Sequence, residues 1–256
     1  MDAGLRTPLL DFFRRGEVAR DVRLLAAQGA FAPRALEQLG LLALLVGDAD
    51  PEIAREAEAT LEAIPRDSLA GFLARSDVPT EMRTFFAKRG VEPAAVAVPV
   101  DEPLIDTAPD PKAPPADEDE QTALQRIQEM NVAQRIALAM KGSREERAIL
   151  IRDPNKIVGV AVLSSPKLSE AEVETIAKMS SISDELLRII SMTRGWMKNY
   201  SVVVALSKNP KTPVAISMNL LSRLNDKDLR MLSSDRNVAE ILRVTARQKL
   251  VIGDKK

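Results

Sequence analysis

Neither cysteine nor histidine occurs anywhere in this chain of 256 residues. Without thiols no disulfide forms, and without thiolate or imidazole the commonest transition-metal ligands are missing. Nucleophile–base schemes built on Cys or His, the usual triads among them, are excluded on the same ground. Aromatic residues are scarce at 3%, which leaves little material for an aromatic-lined pocket. The longest apolar run, Leu39 to Val46, falls far short of the roughly 20 residues that cross a bilayer. Met1 to Arg15 includes Asp2 and only a short apolar run, so it lacks the basic start and long apolar core of a secretory leader. These absences lead to the expectation of a soluble cytoplasmic protein without cofactor or metal. Carboxylate or lysine chemistry stays open, but no spacing points to it, and a non-enzyme is expected.

Repetition is what the sequence has instead. Leu187-Arg188-Ile189-Ile190-Ser191-Met192-Thr193-Arg194 matches Leu229-Arg230-Met231-Leu232-Ser233-Ser234-Asp235-Arg236, and a weaker copy ends Ala148-Ile149-Leu150-Ile151-Arg152. The three arginines, Arg152, Arg194 and Arg236, fall 42 residues apart. A second signature, Ser164-Ser165-Pro166-Lys167 against Lys208-Asn209-Pro210-Lys211, is offset by 44. Two residues are therefore inserted in the middle copy, near Lys198 to Tyr200. Self-similarity at such a period marks a repeat architecture.

Charge divides the chain. Residues 121–256 carry 23 Lys/Arg against 14 Asp/Glu, and residues 1–120 carry 13 against 23. A basic half invites an anionic partner, external or the chain's own acidic part. Residues 1–90 read as short helices punctuated by Pro and small polar caps, with apolar residues stepping by three or four: Leu36, Leu39, Ala43 and Val46, then Ile53, Ala57, Leu61 and Ile64. All six Phe lie here, which argues for a core separate from that of the second half. Residues 91–120 turn to Ala, Pro, Val and acid, ending Pro114-Pro115-Ala116-Asp117-Glu118-Asp119-Glu120. Such a composition predicts a disordered acidic linker, either a plain spacer or an arm competing for the basic half. From residue 121 the helical pattern resumes. Ser143-Arg144-Glu145-Glu146 and Ser169-Glu170-Ala171-Glu172 are capping boxes, and Thr212-Pro213 is a cap-then-proline start. Each period then has room for about four short helices, taken as two hairpins, which must stack to bury their apolar faces.

The stretch Val203 to Leu224 followed by Asp228 to Ala246, with Ala205-Leu206 and Asn209-Pro210-Lys211-Thr212-Pro213 at its centre, resembles the leucine-rich repeat variant and related HEAT-like α-solenoids. The block from 121 onward is also similar to an uncharacterised bacterial family with this kind of repeat. In the other copy the string reads Ser165-Pro166-Lys167-Leu168-Ser169, without the second proline. The resemblance implies architecture and supplies no catalytic residue. The expected fold is thus all-α, in two parts: a HEAT-like helical domain at 1–90, the linker at 91–120, and a short α-solenoid at 121–256.

Candidate binding residues follow from the repeat. Stacked copies would set Arg152, Arg194 and Arg236 in a row, with Arg144, Arg188, Lys198 and Arg230 nearby, as an anion track. The competing reading gives each arginine to the carbonyls and dipole at the end of its own helix. Trp196 and Tyr200, spaced i, i+4, would share one face if that stretch is helical, as a stacking or peptide-anchoring pair or as packing residues. The methionines read as gap-filling core, and Asp226, Asp228 and Asp235 fit no metal-loop spacing. A HEAT-like DNA glycosylase would want an aromatic pocket with an acid, which the sequence lacks. The leading expectation is a protein-interaction module or scaffold with an unidentified protein partner. The second is a nucleic-acid-binding protein using the basic half.

Overall fold

A computed structural model describes residues 7–32, 34–99, 102–105 and 120–253. Among them there are sixteen α-helices, two short 3-10 turns and no strand. The first six helices are α1 (Pro8–Arg14), α2 (Arg20–Ala27), α3 (Ala35–Leu45), α4 (Pro51–Ala63), α5 (Arg66–Leu73) and α6 (Thr80–Ala87). Then come α7 (Glu120–Glu129), α8 (Val132–Lys141), α9 (Arg144–Leu150) and α10 (Lys156–Ser164). The last six are α11 (Glu170–Lys178), α12 (Asp184–Met192), α13 (Tyr200–Lys208), α14 (Val214–Leu220), α15 (Asp226–Ser234) and α16 (Glu240–Gly253).

Local chemistry starts most of these helices. Thr7 and Asp50 cap helices whose first residue is proline, where the missing N–H costs nothing. Ser143 with Glu146 and Ser169 with Glu172 form the expected reciprocal boxes, and Asn131 with Gln134 forms a third. Thr212 departs from expectation. Pro213 itself occupies the N-cap of α14, and Thr212 Oγ1 is buried without a partner.

The chain divides into two compact units, Met1–Lys167 and Leu168–Lys256. In the first, α10 packs on α1 and α8 on α2. The division by contacts therefore falls after Lys167 and not in the stretch 91–120, and the Phe-rich helices share their unit with α8 to α10. Its fully buried side chains include Phe72, Phe86, Leu39, Ile53, Ile136 and Leu138, each contributing about 1.5–3 kcal/mol by leaving water.

Part of the expected linker is tied down. Ala94 N–H donates to Ala70 O (2.9 Å) and Val98 N–H to Gly71 O (3.1 Å). Gly71 leaves the room for this, since a Cβ there would lie 2.4 Å from Val98 Cγ2. The side chain of Gln38 holds Leu104 and Ile105. Residues 100–101 and 106–119, which carry most of the acidic composition, lie outside the described residues.

Three α-helices, and not four, make each copy of the repeat. In α8–α9–α10, in α11–α12–α13 and in α14–α15–α16 the third helix returns to pack on the first. Five residues join the last two helices of the first and third copies, 151–155 and 235–239, whereas 193–199 joins α12 to α13. The two extra residues fall where the mismatched offsets put them, and a 3-10 turn, Trp196–Lys198, takes them up. The triplet α2–α3–α4 is built likewise, with a five-residue joint at 46–50. Asp48 and Asp50 there accept from the N–H groups of Asp50 and Glu52, as Asp153 and Asn155 do from Asn155 and Ile157. Arg23 of α2 grips Asp48 at 2.5 and 2.6 Å, and Arg135 of α8 reaches Asp153 at 2.5 Å.

Candidate interaction surface

Each repeated arginine occupies the second position of the joint before the third helix. Arg152 lies in 151–155, Arg194 in 193–199 and Arg236 in 235–239. All three side chains are exposed and, among the described residues, make no hydrogen bond or ion pair. None bonds the carbonyls that close its helix, so the structure offers no direct bond for the helix-end reading. Arg152 belongs to the first unit, and Arg194 and Arg236 belong to the second.

In the second unit, α12 turns Arg188 outward one turn before Met192, which is 75% exposed. On α15, Arg230 stands beside Met231, 52% exposed. Arg188, Lys198 and Arg230 are exposed and likewise without a side-chain partner among the described residues. The methionines expected as core filler thus divide. Met140 is buried, while Met192 and Met231 stand in solvent, because the buried stripe of α12 is already filled by Leu186, Leu187 and Ile190 and that of α15 by Leu229 and Leu232. The last helix, α16, adds Ile241, Val244 and Val251, all exposed. Their i, i+3, i+10 spacing sets them along one stripe.

Trp196 and Tyr200 do not share a helical face. Trp196 opens the 3-10 turn, Asn199 is extended, and Tyr200 begins α13. Trp196 is half-buried and Tyr200 exposed. The Tyr200 hydroxyl donates to Asp228 Oδ2 (2.7 Å) and accepts from the Asn225 N–H (3.1 Å), while Lys208 Nζ reaches Asp228 Oδ1 (3.1 Å). That bond from Tyr200, with the Lys208 ammonium beside it, holds the Asp228 carboxyl below its ordinary range. Partial burial, and then the neighbouring carboxylate, push the Tyr200 hydroxyl up. Tyr200 is thereby a clamp between the starts of α13 and α15.

Among the described residues no cluster of three acidic groups could hold a metal ion. None of their helices is long and apolar enough to cross a membrane. Sequence reasoning missed the outward methionines, because a Met beside Ile and Leu reads as core until the helix phase is fixed. No family model matches the sequence, and neither a curated protein nor a solved structure matches it.

Proposed function

We propose that the three-helix copies stack as a short α-solenoid and that the chain is a non-enzymatic, cytoplasmic protein-interaction module. Its second unit would present a mixed surface of outward arginines and large apolar side chains to an acidic, partly apolar partner segment. One observation carries this reading: Met192, Met231, Ile241, Val244 and Val251 are exposed in the same unit as the unpartnered Arg188, Arg194, Arg230 and Arg236. Where exposed apolar side chains lie together they mark an interaction site, and flexible Met side chains suit an adaptable surface. Arginine is favoured in interfaces because its planar fork binds carboxylates through two hydrogen bonds.

A photo-crosslinking residue at Met192 or at Met231, in the full chain, tests it. Discrete protein adducts that weaken when Arg188 and Arg230 become Ala are the expected result. No protein adduct at either position would overturn it.

The unpartnered cations also favour a second reading, in which nucleic acid is the ligand. Fluorescence anisotropy with mixed-sequence DNA and RNA at low and moderate salt separates the two. Phosphate tracking requires steep salt dependence that flattens when Arg152, Arg194 and Arg236 are replaced together by Ala. Absence of binding at low salt would dismiss it.

A further inference from the structure

The helix α16 is apolar on two opposite sides. Leu242 and Ala246 are buried, and its packing partners α14 and α15 belong to its own copy. Ile241, Val244 and Val251 are 54%, 40% and 57% exposed, with exposed Gln248 between the last two. These four step by three, four and three residues, which is the spacing of a seam that receives another helix.

The same face occurs in the other two copies, and its chemistry follows its cover. Counted from the residue before each third helix, Ile241 and Val244 correspond to Ile157 and Val160 of α10 and to Ser201 and Val204 of α13. Counted from the N-cap of each first helix, Met218 of α14 corresponds to Ile136 of α8 and Glu174 of α11. In the first copy Ile136, Ile157 and Val160 are at most 4% exposed, and α1 packs on α10 from outside the copy. That helix brings Leu9, Leu10, Phe12 and Phe13, all buried, within seven residues. In the second copy the face is an open groove of about 440 Å³ walled by Glu174, Lys178, Ser201, Val204 and Lys208. It is largely polar there. The third copy has the apolar residues of the first and the exposure of the second.

We propose that the outer face of α16 is a docking site for a short amphipathic helix of another protein, one that carries large apolar residues in the pattern of α1, Leu-Leu-x-Phe-Phe. The proposal rests on the reading of the second unit as a protein-interaction surface, and it gives the partner segment a form, a helix laid on an apolar face. A second copy of the chain fits this face less well. With 14 residues, α16 is about 21 Å long and about 10 Å wide, so its seam offers on the order of 200 Å². A standard interface buries about 800 Å² on each partner. A seam this small suits one short helix and not a stable dimer.

The test uses the full chain and a fluorescent peptide of residues 7–16, the sequence of α1. A free helix so short is marginal, so Arg15→Lys in the peptide is joined by a lactam to Asp11. Anisotropy should show saturable binding by about 1 mM peptide. Ile241→Ser with Val244→Ser in the chain should weaken it at least about tenfold, and Gln248→Leu, which fills the polar gap in the seam, should tighten it about tenfold. The peptide with Phe12→Ser and Phe13→Ser should not bind. Should the Ser variant melt early, Gln248→Leu decides. The proposal is overturned if the peptide does not bind, if changes on α16 leave its affinity unaltered, or if sedimentation shows a dimer that the Ser changes abolish, which gives the face to a second copy. Protein adducts at Met192 or Met231 without peptide binding on α16 would sink this inference and leave the broader reading standing.

Discussion

The side-chain amide of Asn209 donates to the carbonyl oxygens of Ala177 (2.8 Å) and Met179 (2.9 Å), closing the C-terminal end of α11 from the end of α13. Ser165, 44 residues earlier, donates through Oγ to Met140 O (2.9 Å) at the end of α8. Each also accepts the N–H two residues on, that of Lys211 or Lys167. The repeated Pro-Lys turn therefore exists to position a buried polar staple, since both staples are at most 6% exposed.

Asn209→Ala removes two donors and leaves helix-end carbonyls buried without them. A loss of about 2–3 kcal/mol is expected, read as a lower urea midpoint at unchanged slope. Asn209→Ser should recover part of it, since Ser165 does the same work with one hydroxyl. A loss below about 0.5 kcal/mol, the scatter of neutral surface changes, would show that the staple carries no weight.

Gly142 is required for space, not for its backbone angle. Its φ of −67° suits any residue, but a Cβ would lie 2.4 Å from Leu138 O and 2.6 Å from Glu146 Oε2. Glu146, 2% exposed, accepts from Arg126 (2.6 Å) and from the Ser143 N–H (2.7 Å) and has little freedom to retreat. Gly142→Ala should therefore cost more than about 2 kcal/mol. Gly90, with φ +74° and nothing within 4 Å of an added Cβ, should cost only about 1–2 kcal/mol on the same change. Denaturant unfolding of both variants ranks them, and the reverse order would refute the crowding argument.

What was legible in the sequence was local. Capping boxes at Ser143 and Ser169 need residues only three apart, and the two-residue insertion showed itself as a disagreement between two offsets. The number of helices per copy was not legible, because the joints 151–155 and 235–239 do not reveal which helix the chain returns to. The related triplet α2–α3–α4 was hidden too. Its likeness to α8–α9–α10 lies in Arg23–Asp48 and Arg135–Asp153, pairs separated in sequence by a whole helix. Gln38 was unreadable because its partners are backbone groups of a segment whose composition predicts no structure.

Arg152, Arg194 and Arg236 make no side-chain bond among the described residues, so their removal should leave the fold untouched. The triple Ala variant is expected to melt with the wild type, each site contributing within about 0.5 kcal/mol. Thermal unfolding checks this. A marked drop would restore the arginines to a structural role, and an unchanged melt makes any loss of ligand affinity a reading of binding alone.

The Tyr200–Asp228 pair sets a dependence on pH at both extremes. Asp228 titrates below its ordinary value of 3.8 in the folded chain, chiefly through the bond from Tyr200. Folding thus favours the carboxylate, and that stabilisation, full above the unfolded value, is lost as pH falls through the folded one. Tyr200 titrates above its ordinary 10.0, so its contribution is full below that value and is lost as pH rises through the folded pKa. Asp228→Asn should flatten the acid limb of the melting temperature relative to wild type, and Tyr200→Phe should weaken the acid limb and remove Tyr200's share of the alkaline one. Tyr200 is the sole tyrosine, so phenolate absorbance reports its titration without interference. An acid limb identical in wild type and Asp228→Asn would show that the carboxylate is not held by the clamp. A phenolate titration at the ordinary value would show the same for the hydroxyl.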